Sequence, residues 1–182
     1  MSVVEVKYTY QDLRSTPDDG KRYELFEGDL IVSPSPTTLH QSTVLNIAMI
    51  VGSFVRENDR GNVFIAPCDV YFSDDTVVEP DLLVVAQDRL SIVKDDYIEG
   101  APDLVVEVLS PTSEERDRGY KFKLYSEQGV KEYWLADYRK RVLQIFGLTS
   151  SGFRLLGEFK DDVVVKSSLF PELRFGVSEL WK

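Results

Sequence analysis

Apolar and polar positions along the chain fall into short strand-like runs interrupted by two longer helical stretches. "VVEVK" (3–7) reads as an opening strand, with a short helix after Thr9 and a polar, turn-rich link, "STPDDGKR". In "YELFEGDLIVS" two apolar runs flank Glu27-Gly28-Asp29, the pattern of a β-hairpin. His40, Val44, Ile47, Val51 and Phe54 recur at offsets of four and three, which predicts a helix from about Thr38 to Asn58, stopped by "RGN". "VFIAPCDVYF" reads as a strand with an irregularity at Pro67. "VVEPDLLVVA" reads as a strand whose apolar end is central in a sheet, and "APDLVVEVLS" as another. "PTSEERDRGYKFKLYSEQG" predicts one capped helix with Gly129 as its stop. "KEYWLAD" and "RVLQIFGL" form a strand pair around "YRK". "FRLLGEF" and "DVVVKSS" add strands, and "VSELW" a short terminal helix.

This order predicts an α/β protein with a mixed α+β sheet: a central mixed β-sheet flanked by helices, with an extra N-terminal hairpin and extra C-terminal strands. At 182 residues, with 43% hydrophobic and 29% charged content, the chain is expected to form a single domain over residues 1–182. The lone cysteine, Cys68, excludes an intrachain disulfide and a cysteine-rich zinc site, and fits a reducing cytoplasm. "MSVVEVKYTYQDLRS" lacks the basic start and apolar block of a secretion signal. The longest apolar segment, "VLNIAMIVGSFV", has 12 residues, which suits a buried helix and not a membrane span. The net charge of −10 argues against strong non-specific binding to nucleic acid, since basic residues cluster only at 139–141 and within 116–123.

The unusual chemistry is acidic. Pro-Asp-Leu followed by an aliphatic run occurs twice, at "EPDLLVV" and "APDLVVEVL", and the second run carries Glu107 among valines and a leucine. A charge there is costly unless paired. Asp103 and Glu107 share a strand face but stand roughly 13 Å apart, too far to hold one metal ion. Asp103 is therefore expected in the strand's opening turn. If the two Pro-Asp-Leu strands are neighbours, Asp81 and Glu107 come within about 4.5–5.5 Å, near enough to clamp a divalent cation.

An aspartate and a glutamate on adjacent strands resemble the PD-(D/E)XK nuclease superfamily. Leu109 stands where that superfamily usually has lysine. "RYELFEGDLIVSPSP", "LH" at 39–40, "APCDVYFSDDTVVEPDLLVV", "EGAPDLVVEVLSPTSEERDRGYKFKLY" and "GVKEYWLAD", collinear over roughly residues 20–145, resemble the Uma-type putative restriction endonuclease family within it. The resemblance implies a restriction-endonuclease-like core and Mg²⁺-dependent hydrolysis of nucleic acid, most simply DNA, with Mn²⁺ as a substitute. It also implies a homodimer, because cutting two strands needs two sites. Asp81 and Glu107 would bind the metal, with the Val108 carbonyl as a further oxygen ligand. The missing lysine would lie on the following helix, at Lys121 or Lys123. Lys121 shares a stripe with Asp117, Leu124, Tyr125 and Gln128, whereas Lys123 is about 200° away, so Lys121 is chosen. The likeness places Glu24 on the first hairpin strand and His40 at the long helix's start beside the same site, while Glu27 reads as a turn residue.

Each residue also has a plain structural reading. Glu107 would be a buried ion pair with Lys121 or Arg118. Asp81 would be a strand-start acid, His40 a satisfied buried histidine and Glu24 an outward strand residue. Tyr125, Tyr133 and Trp134 read as core, and "EER" and "RKR" as solvated faces. The chain as a whole would then be a catalytically inactive nuclease-fold binding or regulatory module.

Overall fold

The computed structural model describes residues 6–182. The strand expected over Val3–Lys7 lies mostly outside them, and Val6 and Lys7 are not in a strand. The short helix α1 (Tyr10–Leu13) is capped by Thr9, whose hydroxyl accepts from the Asp12 amide while the Asp12 carboxylate takes the Thr9 N–H. The hairpin forms as β1 (Arg22–Phe26) and β2 (Asp29–Ser33). Its two turn residues, Glu27 and Gly28, have φ of 52° and 83°, the left-handed pair a two-residue hairpin loop requires. The long helix is α2 (Thr38–Glu57).

Two stretches read as single strands are each split between sheets. "VFIAPCDVYF" gives β3 (Gly61–Ile65) and β4 (Asp69–Ser73), and "VVEPDLLVVA" gives β5 (Thr76–Val78) and β6 (Leu82–Ala86). The breaks fall at Pro67 and Pro80. Proline has no N–H for a ladder, so the chain leaves one sheet there and joins the other. After β6 come a 3₁₀ turn (Gln87–Ile92), β7 (Tyr97–Glu99) and β8 (Leu104–Val108). The helix expected after β8 is two helices, α3 (Glu114–Arg118) and α4 (Tyr120–Gln128), broken at Gly119 (φ −108°, ψ −91°). A Cβ at Gly119 would stand 2.9 Å from the Glu115 carbonyl oxygen, so the break is built around glycine. The chain ends with β9 (Glu132–Asp137), β10 (Val142–Thr149), β11 (Gly152–Phe159), the ribbon of β12 (Val164–Lys166) and β13 (Arg174–Gly176), and a 3₁₀ turn over Val177–Trp181.

The central sheet has six strands in the order β11-β10-β9-β8-β6-β3; β8 and β9 run parallel and the other pairs antiparallel. The hairpin belongs to a second, five-stranded sheet, β2-β1-β5-β4-β7. Alternation along the central strands assigns their faces. Leu82, Val84, Val106, Val108, Trp134 and Ala136 pack against Val44, Ile47, Val51 and Val55 of α2. The fifth helix contact is thus Val55, fully buried, whereas Phe54 is only half-buried. By length and composition α2 could span a membrane, but here its buried stripe covers the central sheet. Leu83, Val85, Val105, Tyr133 and Leu135 face the other way, onto Phe26, Val70 and Val78 of the second sheet and Leu124 and Tyr125 of α4. Asp81 and Glu107 have the parity of Leu83 and Val105, so both point into this second layer.

One buried acid serves the fold. Glu132 opens β9 with no exposure, and its carboxylate accepts from Trp134 Nε1 (2.8 Å), Ser167 Oγ (2.7 Å), the Ser168 N–H (2.8 Å), the Leu169 N–H (3.0 Å) and the Ser168 hydroxyl. This anchors the segment whose Phe170, Leu173 and Phe175 complete the α2-side core. Glu132→Ala strands several buried donors and should lower stability by about 3 kcal/mol. Urea unfolding checks this: the midpoint should drop, and amide exchange across 165–180 should speed up. An unchanged midpoint would leave Glu132 without this role.

Candidate active site

The antiparallel register pairs Leu82 with Val106, so Asp81, one residue before β6, comes alongside Glu107 on β8. Asp81 is fixed from three sides. Oδ2 accepts the Val108 N–H at 2.8 Å and lies 3.2 Å from His40 Nε2, and Oδ1 accepts from Arg22 Nη2 at 2.8 Å. Glu107 Oε1 accepts from Lys121 Nζ at 2.9 Å and from the Tyr125 hydroxyl at 2.8 Å. Lys121 Nζ also lies 2.7 Å from Glu24 Oε1, which takes the Glu79 N–H at 2.9 Å. Arg116 donates to Ser33 Oγ and stands 3.8 Å from Glu24 Oε2.

Arg22, His40, Asp81, Glu107, Arg116 and Lys121 line a cavity of about 590 Å³, and Glu24 and Tyr125 bond to Lys121 and Glu107 from outside it. Residues 34–37, Pro67, residues 110–113 and Asp117 line it as well. Glu24, Lys121, Asp81 and Glu107 are at most 2% exposed, so their charges interact with little screening by water.

Burial pushes Glu107 up to about 8; Lys121 works against this, and Asp117, Asp81 and Glu24 add to it. Burial opposes the charge on Lys121 too, but Glu107, Glu24 and Asp117 outweigh it and raise its pKa. Both members of this ion pair are thus raised. One lysine stands among several acids, so the lysine keeps its proton and Glu107 is an acid that yields. Asp81 goes the other way: burial disfavours its charge, but His40, Arg22 and the Val108 amide hold its pKa below the usual range. Burial keeps Tyr125 protonated, hence a donor. Asp117 is raised, chiefly by burial, and its Oδ1 has no hydrogen-bond partner.

Glu107 binds its proton more tightly in the folded state (about 8) than at its ordinary value of 4.5. That contribution is complete below about 4.5 and is lost as pH rises through about 8. Metal-free protein in chelator should therefore melt at progressively lower temperature between these values, and Glu107→Gln should flatten the slope. Parallel slopes for the two proteins would contradict the raised Glu107.

His40, Asp81, Glu107 and Lys121 line this cavity; Glu24 points inward from its strand and joins them only through Lys121. Lys123 is on the surface, 3.7 Å from Glu127. Asp103 lies apart, accepting the Ala86 N–H and pairing with Arg89 (3.0 Å) and Lys131 (2.7 Å), a clamp on the other end of β8. Val108 touches Asp81 through its amide. The expected Glu107 ion pair exists with Lys121; Arg118 bonds instead to Glu114 and Gln144. Glu27 occupies the turn. "EER" is only partly solvated, because Arg116 reaches inward to Ser33. "RKR" is at the surface, with Arg139 and Lys140 bonded to Glu114 and Asp137. Arg22, Tyr125 and Asp117 were not foreseen as site residues. Asp117 did carry a signal, since it shares the Lys121 stripe; Arg22, beside a polar link, carried none.

Whether these residues suit Mg²⁺ turns on the donors. Among the described residues no group of three or more His, Cys, Asp or Glu side chains is arranged to enclose a metal. Mg²⁺ does not need one, since it keeps several waters and takes one or two carboxylates. Asp81 and Glu107 offer hard oxygens at the cavity, and Glu24 Oε2 and Asp117 Oδ1 are buried acceptors without a hydrogen-bond partner. The donor set fits an open Mg²⁺ site and not a closed cage.

The family model Uma2, described as "Putative restriction endonuclease", matches residues 9–178. The chain belongs to the Uma2 family. Among solved structures, this Uma2 chain is similar to the crystal structure of a putative nuclease belonging to DUF820 from Anabaena variabilis ATCC 29413. The TM-score is 0.78 at 21% identity, covering 95% of this chain and 97% of that one. At that identity the likeness concerns the fold, and it agrees with the nuclease-type core expected for an Uma2 protein. No curated protein matches the chain.

Proposed function

We propose that this Uma2 protein is a Mg²⁺-dependent endonuclease that hydrolyses phosphodiester bonds in DNA, with Mn²⁺ able to replace Mg²⁺. The observation that carries this reading is the convergence of Asp81, Glu107 and Lys121, from two adjacent strands and the helix after them, on one cavity. Asp81 and Glu107 would hold the ion, with the Val108 carbonyl as a further oxygen. When bound, the ion lowers the pKa of a water and neutralises charge on the phosphoryl oxygens.

The chain's own groups do the rest. Lys121, kept charged by Glu24 and Glu107, supplies a fixed positive charge where negative charge develops on the phosphate. Glu24 positions that lysine through Oε1. Tyr125 holds Glu107 in place through Oε1, which leaves Oε2 for the ion. His40 orients Asp81 and offers an imidazole at the cavity wall.

A second reading, an inactive nuclease-fold binding module, is favoured by one observation: Asp81 and Glu107 are already neutralised by Arg22 and Lys121. The test is incubation with supercoiled and single-stranded DNA in Mg²⁺ or Mn²⁺ beside Asp81→Asn. Cleavage by the wild type alone supports the enzyme. Identical behaviour of both proteins supports the binding module.

A further inference from the structure

A cation that approaches Asp81 meets a guanidinium already bonded to Oδ1, so two positive charges would crowd one oxygen. Asp81 Oδ2 is bonded to the Val108 N–H, a backbone donor that moves only with the central sheet, and is flanked by His40. Its Oδ1 is held by Arg22, a side chain 22% exposed on the cavity wall. Oδ1 is therefore the exchangeable oxygen. Arg22 is tethered independently: Nη1 donates to the Glu79 carbonyl at 3.1 Å, and Nε lies 3.6 Å from the Glu79 carboxylate. Losing Asp81 would leave the guanidinium in the cavity, with one edge free beside the ion.

We propose that Arg22 and a divalent cation compete for Asp81 Oδ1, and that the displaced guanidinium, still held by Glu79, binds the phosphate of the nucleic acid. Arg22 is then the counter-ion of Asp81 in the empty site and a phosphate ligand of the loaded one. The planar fork of arginine suits both tasks, because carboxylate and phosphate present similar paired oxygens. The second half of this exchange rests on the nuclease reading; the first half does not.

The test is calorimetric titration of Mg²⁺ into wild type, Arg22→Gln and Arg22→Lys, with melting curves for folding, and binding of labelled single-stranded and duplex oligonucleotides in Ca²⁺. Arg22→Gln removes a charge-assisted bond that the ion must break, so Mg²⁺ affinity should rise about tenfold while oligonucleotide affinity falls by a similar factor. Arg22→Lys keeps the charge but loses the fork, so it should shift both affinities in the same directions by less, and it serves alone if the glutamine variant does not fold. Mg²⁺ binding that is unchanged or weaker in the variants overturns the exchange, as does an absence of Mg²⁺ binding in every protein. Tighter Mg²⁺ binding with unchanged oligonucleotide binding overturns the phosphate role. Tighter Mg²⁺ binding in proteins that neither bind nor cut DNA leaves the exchange standing and removes the nuclease. DNA cutting by wild type with no gain in Mg²⁺ affinity does the reverse.

Discussion

Lys121→Met should cost about 3–5 kcal/mol of stability, the range found when one partner of a buried ion pair is removed. Methionine nearly fills the volume, so packing is not the main loss. Lys121 Nζ lies 2.7 Å from Glu24 Oε1 and 2.9 Å from Glu107 Oε1, and all three residues are at most 2% exposed. Without the lysine, two carboxylates face each other with no water to screen them, and Asp117 and Asp81 add to the repulsion on Glu107. Some of the loss will be absorbed by proton uptake, so the variant should be least stable at high pH. Urea unfolding measures it. Adding Glu24→Gln to Lys121→Met should recover much of the stability, because it removes one of the stranded charges. A loss below about 1 kcal/mol would be typical of a surface pair and would contradict a buried network.

The second large effect is on catalysis. Asp81→Asn keeps the shape of the side chain and removes its charge. It should reduce Mg²⁺-dependent cleavage on the order of a thousandfold, about 4 kcal/mol of barrier. The fold should survive, because the amide oxygen of the substituted side chain can still accept the Val108 N–H. That separates the two roles of the network: Lys121 answers for stability and rate together, Asp81 mainly for rate. Glu107→Gln should resemble Asp81→Asn in rate while flattening the fall in stability toward high pH.

Much of this geometry was legible in the chain because it rests on local periodicity. Glu27-Gly28 marks the hairpin turn by its need for left-handed backbone. Two aliphatic strands that each follow Pro-Asp are natural neighbours, and an antiparallel register alone brings Asp81 to Glu107. The choice of Lys121 over Lys123 needs only the phase of Lys121, Leu124 and Tyr125. All three lie within α4, so the break at Gly119 did not disturb it.

What was missed is non-local. The five-stranded sheet depends on the pairing of β5 with β1 and of β7 with β4, three-residue strands joined there to partners far off in sequence. Pro67 gave a local sign of irregularity, but nothing local says that the chain changes sheets there or at Pro80. Arg22 reaches Asp81, 59 residues away, only because β1 is placed against the start of β6 by that second sheet. Glu132 looked like one more polar strand end, since all its donors but Trp134 come from 35–37 residues downstream.

The most direct measurement is a time course of DNA cleavage against Mg²⁺ concentration for wild type, Asp81→Asn and Glu107→Gln, each shown to be folded by its melting curve. Cleavage that saturates with Mg²⁺ in the wild type and is absent from both folded variants is the expected result. Equal cleavage in all three, or none in a folded wild type across Mg²⁺ and Mn²⁺ and across single-stranded and supercoiled DNA, would contradict a metal-dependent nuclease site at Asp81 and Glu107.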